Sequence, residues 1–191
     1  MDKKRQRSEL GIDETIPVVG FFGSMAPNKG PLVLEACRLL LAEFPGLRLL
    51  VAGRVSGVDI DQPWVAYRGE LPQGKIPQLI SACDVVVVPL DRHPQNNVSG
   101  SCKIAEYLAC ERPVVATKLA DHERIFCSAP NALCDATPDS MAKAIRIQLV
   151  SPQVMPFPDG LAWSDIGKQL HSEIELLVSG ADNKKVRRLF F

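Results

Sequence analysis

Short continuous apolar runs alternate with stretches of three- and four-residue periodicity along most of the chain. Residues 17–23 (PVVGFFG) are β-branched and aromatic, have the length of a strand and end in glycine, which predicts a buried strand. Residues 31–44 predict a helix: Pro31 suits a first helical position, and Val33, Cys37, Leu40 and Phe44 repeat at helical spacing. Pro45-Gly46 stops it, and residues 47–53 (LRLLVAG) give the next strand. The cycle repeats with a short strand at 64–69, a helix at 76–83 and the clearest strand of all at 84–90 (DVVVVPL). A helix at 101–110, closed off by Pro113, then leads to a strand at 113–117 (PVVAT). A short strand at 132–134, a helix at 138–150, a proline-rich loop at 151–160 and an amphipathic helix at 163–179 complete the pattern. The last carries Trp163, Ile166, Leu170, Ile174 and Leu177 along one side.

Apolar strands alternating with helices predict an α/β fold, a single Rossmann-like domain whose parallel sheet is covered on both faces. The expected organisation is a linker-like segment at 1–16, the domain at 17–180 and a basic, apolar tail at 181–191. In such sheets ligands bind outside the carboxyl ends of the strands. That rule selects the loops at 23–30, 53–57, 69–74, 90–103 and 117–123.

Charge narrows the partners. Lys plus Arg and Asp plus Glu each number 22, so the net charge is zero and nothing draws the chain to nucleic acid. Basic clusters at Lys3, Lys4, Arg5 and Arg7, and at Lys184, Lys185, Arg187 and Arg188, read as solvated chain ends. None of the six cysteines forms a C-x-x-C pair, and most sit in apolar stretches, which suits a reducing compartment. The first eleven residues lack the apolar core of a signal peptide, and runs such as 85–90 fall far short of the roughly 20 residues of a membrane helix. A soluble, cytoplasmic protein is expected. The tail Leu189-Phe190-Phe191 reads as a frayed end, the alternative being weak peripheral contact with the inner face of the membrane.

Two loops carry candidate chemistry. Residues 23–30 (GSMAPNKG) combine a glycine turn, a lysine and a helix start, an arrangement that favours an anion such as a diphosphate. The plainer reading is a turn at Gly30-Pro31 with a solvated Lys29. The loop has neither the Walker spelling nor G-x-G-x-x-G, so a P-loop NTPase and an NAD enzyme are disfavoured. Residues 97–108 (NVSGSCKIAEYL) follow the clearest strand, with Ser101 as a candidate N-cap and the amides of Cys102 and Lys103 open to a phosphate. Lys103 and Glu106 share a helix face, either as an ordinary ion pair or as groups facing a phosphate and a vicinal diol.

With GSMAPNKG, LRLLVAG, WVAYRGEL, ACDVVVVPL, KIAEYLACERPVVAT and DHERI in this order, residues 17–123 resemble the donor-binding domain of the retaining, nucleotide-sugar-dependent glycosyltransferases of the group 1, GT-B type. The resemblance implies half of a fold with two facing Rossmann-like domains. It implies that Gly23, Ser24 and Lys29, with Ser101, Cys102 and Lys103, border the donor diphosphate, and that Glu106 clamps the ribose hydroxyls. Residues 67–71, with Leu71, and Leu90 fall where relatives place the base. Two departures stand out: Ser24 replaces a phosphate-binding arginine, and Val98 replaces the first of two glutamates.

The implied function is donor binding for transfer of a sugar from a nucleoside diphosphate, with retention of configuration, to an unnamed acceptor. The partners are the nucleotide-sugar and an N-terminal acceptor domain, without which the chain is expected to be inactive. No metal, other cofactor or catalytic residue is expected here; Asp59-Ile60-Asp61 reads as a turn. The alternatives are a non-catalytic nucleotide-binding or assembly subunit and, far behind, a receiver domain, which would need an acidic cluster after the first strand.

Overall fold

The computed structural model describes residues 2–98 and 102–178. Its first unit runs to Pro156 and its second starts at Phe157. In the first, β1 (Val18–Phe22), β2 (Arg48–Ala52), β3 (Val65–Tyr67), β4 (Val85–Val88), β5 (Val114–Thr117) and β6 (Leu133–Cys134) form one sheet in the order β3-β2-β1-β4-β5-β6. Every pairing is parallel. The chain builds outward from β1 to β3, then crosses back to β4, so the strand order reverses between β1 and β4. A crevice opens at such a point, at the carboxyl ends of the strands.

Alternation along the strands splits the core between the two faces. Val19, Phe21, Leu49, Val51, Val85 and Val87 pack with Val33 and Cys37 of α2 (Gly30–Leu40) and Met141 and Ile145 of α7 (Pro138–Val150). Val18, Phe22, Leu50, Val86 and Val88 pack with Leu79 and Ile80 of α3 (Ile76–Ala82) and Ile104, Tyr107 and Leu108 of α5 (Cys102–Ala109). Burying both faces explains why the strands read as unbroken apolar runs. Thr137 caps α7 by accepting from the Ser140 amide. The second unit holds the expected closing helix, α8 (Trp163–Val178).

Three helices escape the periodicity: α1 (Lys3–Leu10), α4 (Pro94–Val98) and α6 (Ala120–Ile125). α4 and α6 are short, and α1 is polar all round, so it has no stripe to detect. Its caps are nevertheless present, with Asp2 accepting from the Lys4 amide and Gly11 in the left-handed region at φ 66°.

The basic cluster at the start of the chain therefore needs correction. Arg7 is buried, not solvated. Its guanidinium donates to the carbonyls of Ala82 (2.9 Å), Glu14 (2.8 Å) and Ile16 (3.1 Å) and to Asp84 Oδ2 at 2.6 Å. Asp84 also accepts from Lys3 Nζ at 2.9 Å and from the Val18 amide at 2.8 Å. This network pins α1 beneath the amino ends of β1 and β4. Its acidic partner lies 77 positions away, which local charge reading cannot see. Arg7→Ala takes one of three donors from Asp84 and this donor from three carbonyls, and should cost about 3 kcal/mol in chemical denaturation. Lys4→Ala, whose ion pair with Glu14 is exposed, should change stability by less than about 1 kcal/mol.

Candidate functional site

A cavity of about 640 Å³ opens at the carboxyl edge of the sheet, on the β1–β2 side of the crossover. Phe22 and Gly23 at the exit of β1 and Ala52 and Gly53 at the exit of β2 form its floor. Glu70, Leu71 and Gln73 border it after β3, and Ile76, Pro77 and Ile80 of α3 make an apolar wall. The opposite wall is α5, with Lys103, Glu106 and Ala109, followed by Cys110. The α3 wall is thus apolar, and the opposite one carries a cation and a carboxylate three residues apart.

Two glycines set the floor. Gly53 has φ 126°, and a Cβ there would lie 2.3 Å from the Gly23 carbonyl oxygen, so backbone meets backbone at this point. Gly23 has φ 133°, and a Cβ there would lie 2.5 Å from Lys103 Nζ. The ammonium of Lys103 therefore rests on the bare α-carbon at the end of β1, joining the first turn of α5 to the loop after β1. Further backbone bonds lace the exits together: Gly23 N–H to Ala52 O, Met25 N–H to Arg54 O and Gly53 N–H to Gly69 O, each at 2.8 Å. The Tyr67 hydroxyl donates to the Gly53 carbonyl at 2.9 Å.

Among the described ion pairs none joins Lys103 to Glu106, although both lie on one face of α5 and line the cavity. Their charges are available to a ligand. Cys110 continues the same face, at the spacing 103–106–110, and burial pushes its thiol above the ordinary 9.0. That spacing was the signal by which the sequence could have disclosed it. Phe22, Ile76, Pro77 and Ile80 were missed as cavity residues because an apolar wall residue looks like any core residue.

Of the residues expected at the site, Gly23, Leu71, Lys103 and Glu106 line the cavity. Ser24, Lys29, Leu90 and Cys102 do not line it, and Ser101 lies outside the described residues. Lys29 is the N-cap of α2, and the amides of Lys29 and Gly30 are both engaged by the Ala26 carbonyl, at 2.9 and 2.8 Å. That leaves the first loop fewer open donors than its glycines suggest. Leu90 lies beyond the end of β4, the strand that follows β1 on the side away from β2. Asp59 accepts from the Asp61 amide at 2.9 Å, the turn expected of that pair. His122 is buried, with Nδ1 donating to the Thr117 carbonyl at 2.6 Å, and burial lowers its pKa. His93 and His171 are exposed.

Fold and cavity together define a Rossmann-like α/β domain with its site at the ligand edge of the sheet. The chain belongs to the glycosyl transferases group 1 family, which residues 16–150 match. It is 32% identical over 132 residues to the D-inositol 3-phosphate glycosyltransferase of Segniliparus rotundus, covering 62% of this chain and 28% of that protein. It is 34% identical over 134 residues to the enzyme of the same name from Stackebrandtia nassauensis, covering 60% and 29%. Among solved structures, sucrose-phosphate synthase from Thermosynechococcus elongatus superposes with a TM-score of 0.68 at 20% identity, covering 95% of this chain and 52% of that one. Anabaena HepE, solved in complex with UDP and glucose, superposes at 0.67 with 21% identity, covering 93% and 52%. The fold is thus that of one half of GT-B glycosyltransferases, and the chain spans under a third of the curated relatives it matches. Among the described residues no helix is long and apolar enough to cross a membrane.

The position of Cys110 in the cavity wall can be checked directly. In a Cys102→Ser, Cys127→Ser background, which removes the exposed thiols, Cys110 should be alkylated slowly by iodoacetamide. Because the thiolate is the reacting form and burial raises the pKa, the rate should still be climbing above the ordinary value of 9.0. A thiol that is alkylated as fast at pH 7 as a free cysteine would contradict its half-buried place in the cavity wall.

Proposed function

We propose that this chain holds the nucleoside diphosphate of a sugar donor for a retaining glycosyltransferase. The observation that carries the reading is the unpaired Lys103 and Glu106 on one face of α5, opening on a cavity whose other end is apolar. Glu106 accepts hydrogen bonds from the two ribose hydroxyls, a charge-assisted pairing that a carboxylate suits. The base lies toward Leu71, Ile76 and Ile80, where a flat aromatic ring buries apolar surface. Lys103, above Gly23, and the start of α5 face the diphosphate.

In transfer, negative charge grows on the departing diphosphate as the bond to the sugar breaks. A cation and helix amides already in place stabilise that charge without reorganising. Lys29 is a further cation at the entrance of α2, and the contact it would make is with the outer phosphate. The acceptor and the remainder of the cleft belong to a facing domain, so this chain alone binds donor without transferring it. The HepE complex makes UDP the first nucleotide to try. A cytoplasmic setting follows from the same reading, because nucleotide-sugars are the substrates.

Isothermal titration of UDP, GDP and ADP should find one that binds. Glu106→Ala should weaken it by about tenfold, as loss of charged hydrogen bonds predicts. Lys103→Ala should weaken the diphosphate far more than the parent nucleoside. If the folded protein binds no nucleotide, the donor reading falls; if it binds one but gains no turnover with a facing domain supplied, a non-catalytic binding subunit is left.

A further inference from the structure

We infer that Thr117 is a positioning residue that fixes the loop on the sugar side of the donor site. This rests on the donor reading above. With ribose at Glu106 and diphosphate at Lys103, the sugar extends away from the cavity, past β1 and toward the exits of β4 and β5. Leu90 follows β4 on that side and leads into α4. Whatever sets the path of Leu90 therefore sets the wall that the sugar meets.

Thr117 does so with one buried hydroxyl. The β4–β5 ladder ends with Val88 opposite Ala116, so Leu90 has no strand partner. Thr117 Oγ1 donates to the Leu90 carbonyl at 2.7 Å and accepts from the Leu90 amide at 3.1 Å. A side chain thus extends the ladder past its last backbone rung and grips both polar groups of one residue. The amide also reaches the Val88 carbonyl at 3.2 Å, so the carbonyl is the group that depends most on Thr117.

The grip is itself anchored. The Thr117 carbonyl accepts from the buried His122 of α6 at 2.6 Å, and α6 packs on α4. Asn96 of α4 donates to the Asp91 carbonyl at 3.1 Å, closing the turn that follows Leu90. Arg92 and Lys118, from the loops after β4 and β5, converge on Asp135 after β6 at 3.7 and 3.3 Å. Three strand exits are tied to one another, with Thr117 at the middle. None of these groups lines the nucleotide cavity, so the arrangement serves the other end of the donor.

Thr117→Val keeps the shape and removes the hydroxyl, while Thr117→Ser keeps the hydroxyl. The test uses the full chain with whichever of UDP, GDP and ADP the wild type binds, and the glucose ester of that nucleotide. The valine variant should bind the bare nucleotide within about twofold of wild type and the glucose ester about tenfold more weakly. Amide exchange at Leu90 should accelerate in the same variant, and serine should restore both. Equal weakening of both ligands, or unchanged exchange at Leu90, would overturn the inference while leaving the donor reading intact. If the wild type binds neither ligand, both fall together. Should the valine variant fail to fold, Thr117→Cys, similar in volume but a weak donor, takes its place with the same expectations.

Discussion

The contact between the exits of β1 and β2 is the constraint on which the site depends. Gly53 approaches the Gly23 carbonyl so closely that any side chain would force the two loops apart. Because they meet without side chains, Lys103 can reach across from α5 and lay its ammonium on Gly23. The cation is then held at the end of the sheet, and among the described residues no carboxylate pairs with it. Glu106, one helical turn further along, keeps its own charge for the same reason. A cation and a carboxylate set side by side at the ligand edge follow from how two strands end.

Much of this was legible in the sequence because it rests on repetition. Buried parallel strands are unbroken apolar runs, and the alternation of such runs with helices marks the sheet and its ligand edge. Lys103 and Glu106 could be singled out since they follow the clearest strand and share a helix face. Other features resist such reading. The wall formed by Ile76, Pro77 and Ile80 is spelled like any core, and the burial of Arg7 depends on Asp84, which only the folded chain brings near. The first loop shows the opposite error. GSMAPNKG suggests free amides at a helix start, yet a tight turn onto Ala26 consumes two of them.

The family match and the superpositions agree on one half of the GT-B glycosyltransferase fold. A serine at position 24 is exposed where relatives were expected to show a phosphate-binding arginine. Lys103 is then the cation most closely tied to the cavity, with Lys29 set apart at the head of α2. With fewer positive charges at this edge, the proposed diphosphate leans more on oriented backbone amides.

The sheet also has a seam. β1 and β2 are paired over five residues, but β1 and β4 over only two, although the whole crossover turns on that pair. Below it, Asp84 bonds the Val18 amide and is itself held by Arg7 and Lys3. The seam is riveted at its foot and lightly stitched at its head. The exits of β1 and β2 floor the cavity, and strands β4 to β6 carry the braced exits around Leu90 and Thr117. On the proposed donor reading, nucleotide and sugar rest on two half-sheets that share two paired residues in the strands and the Asp84 network at their amino ends.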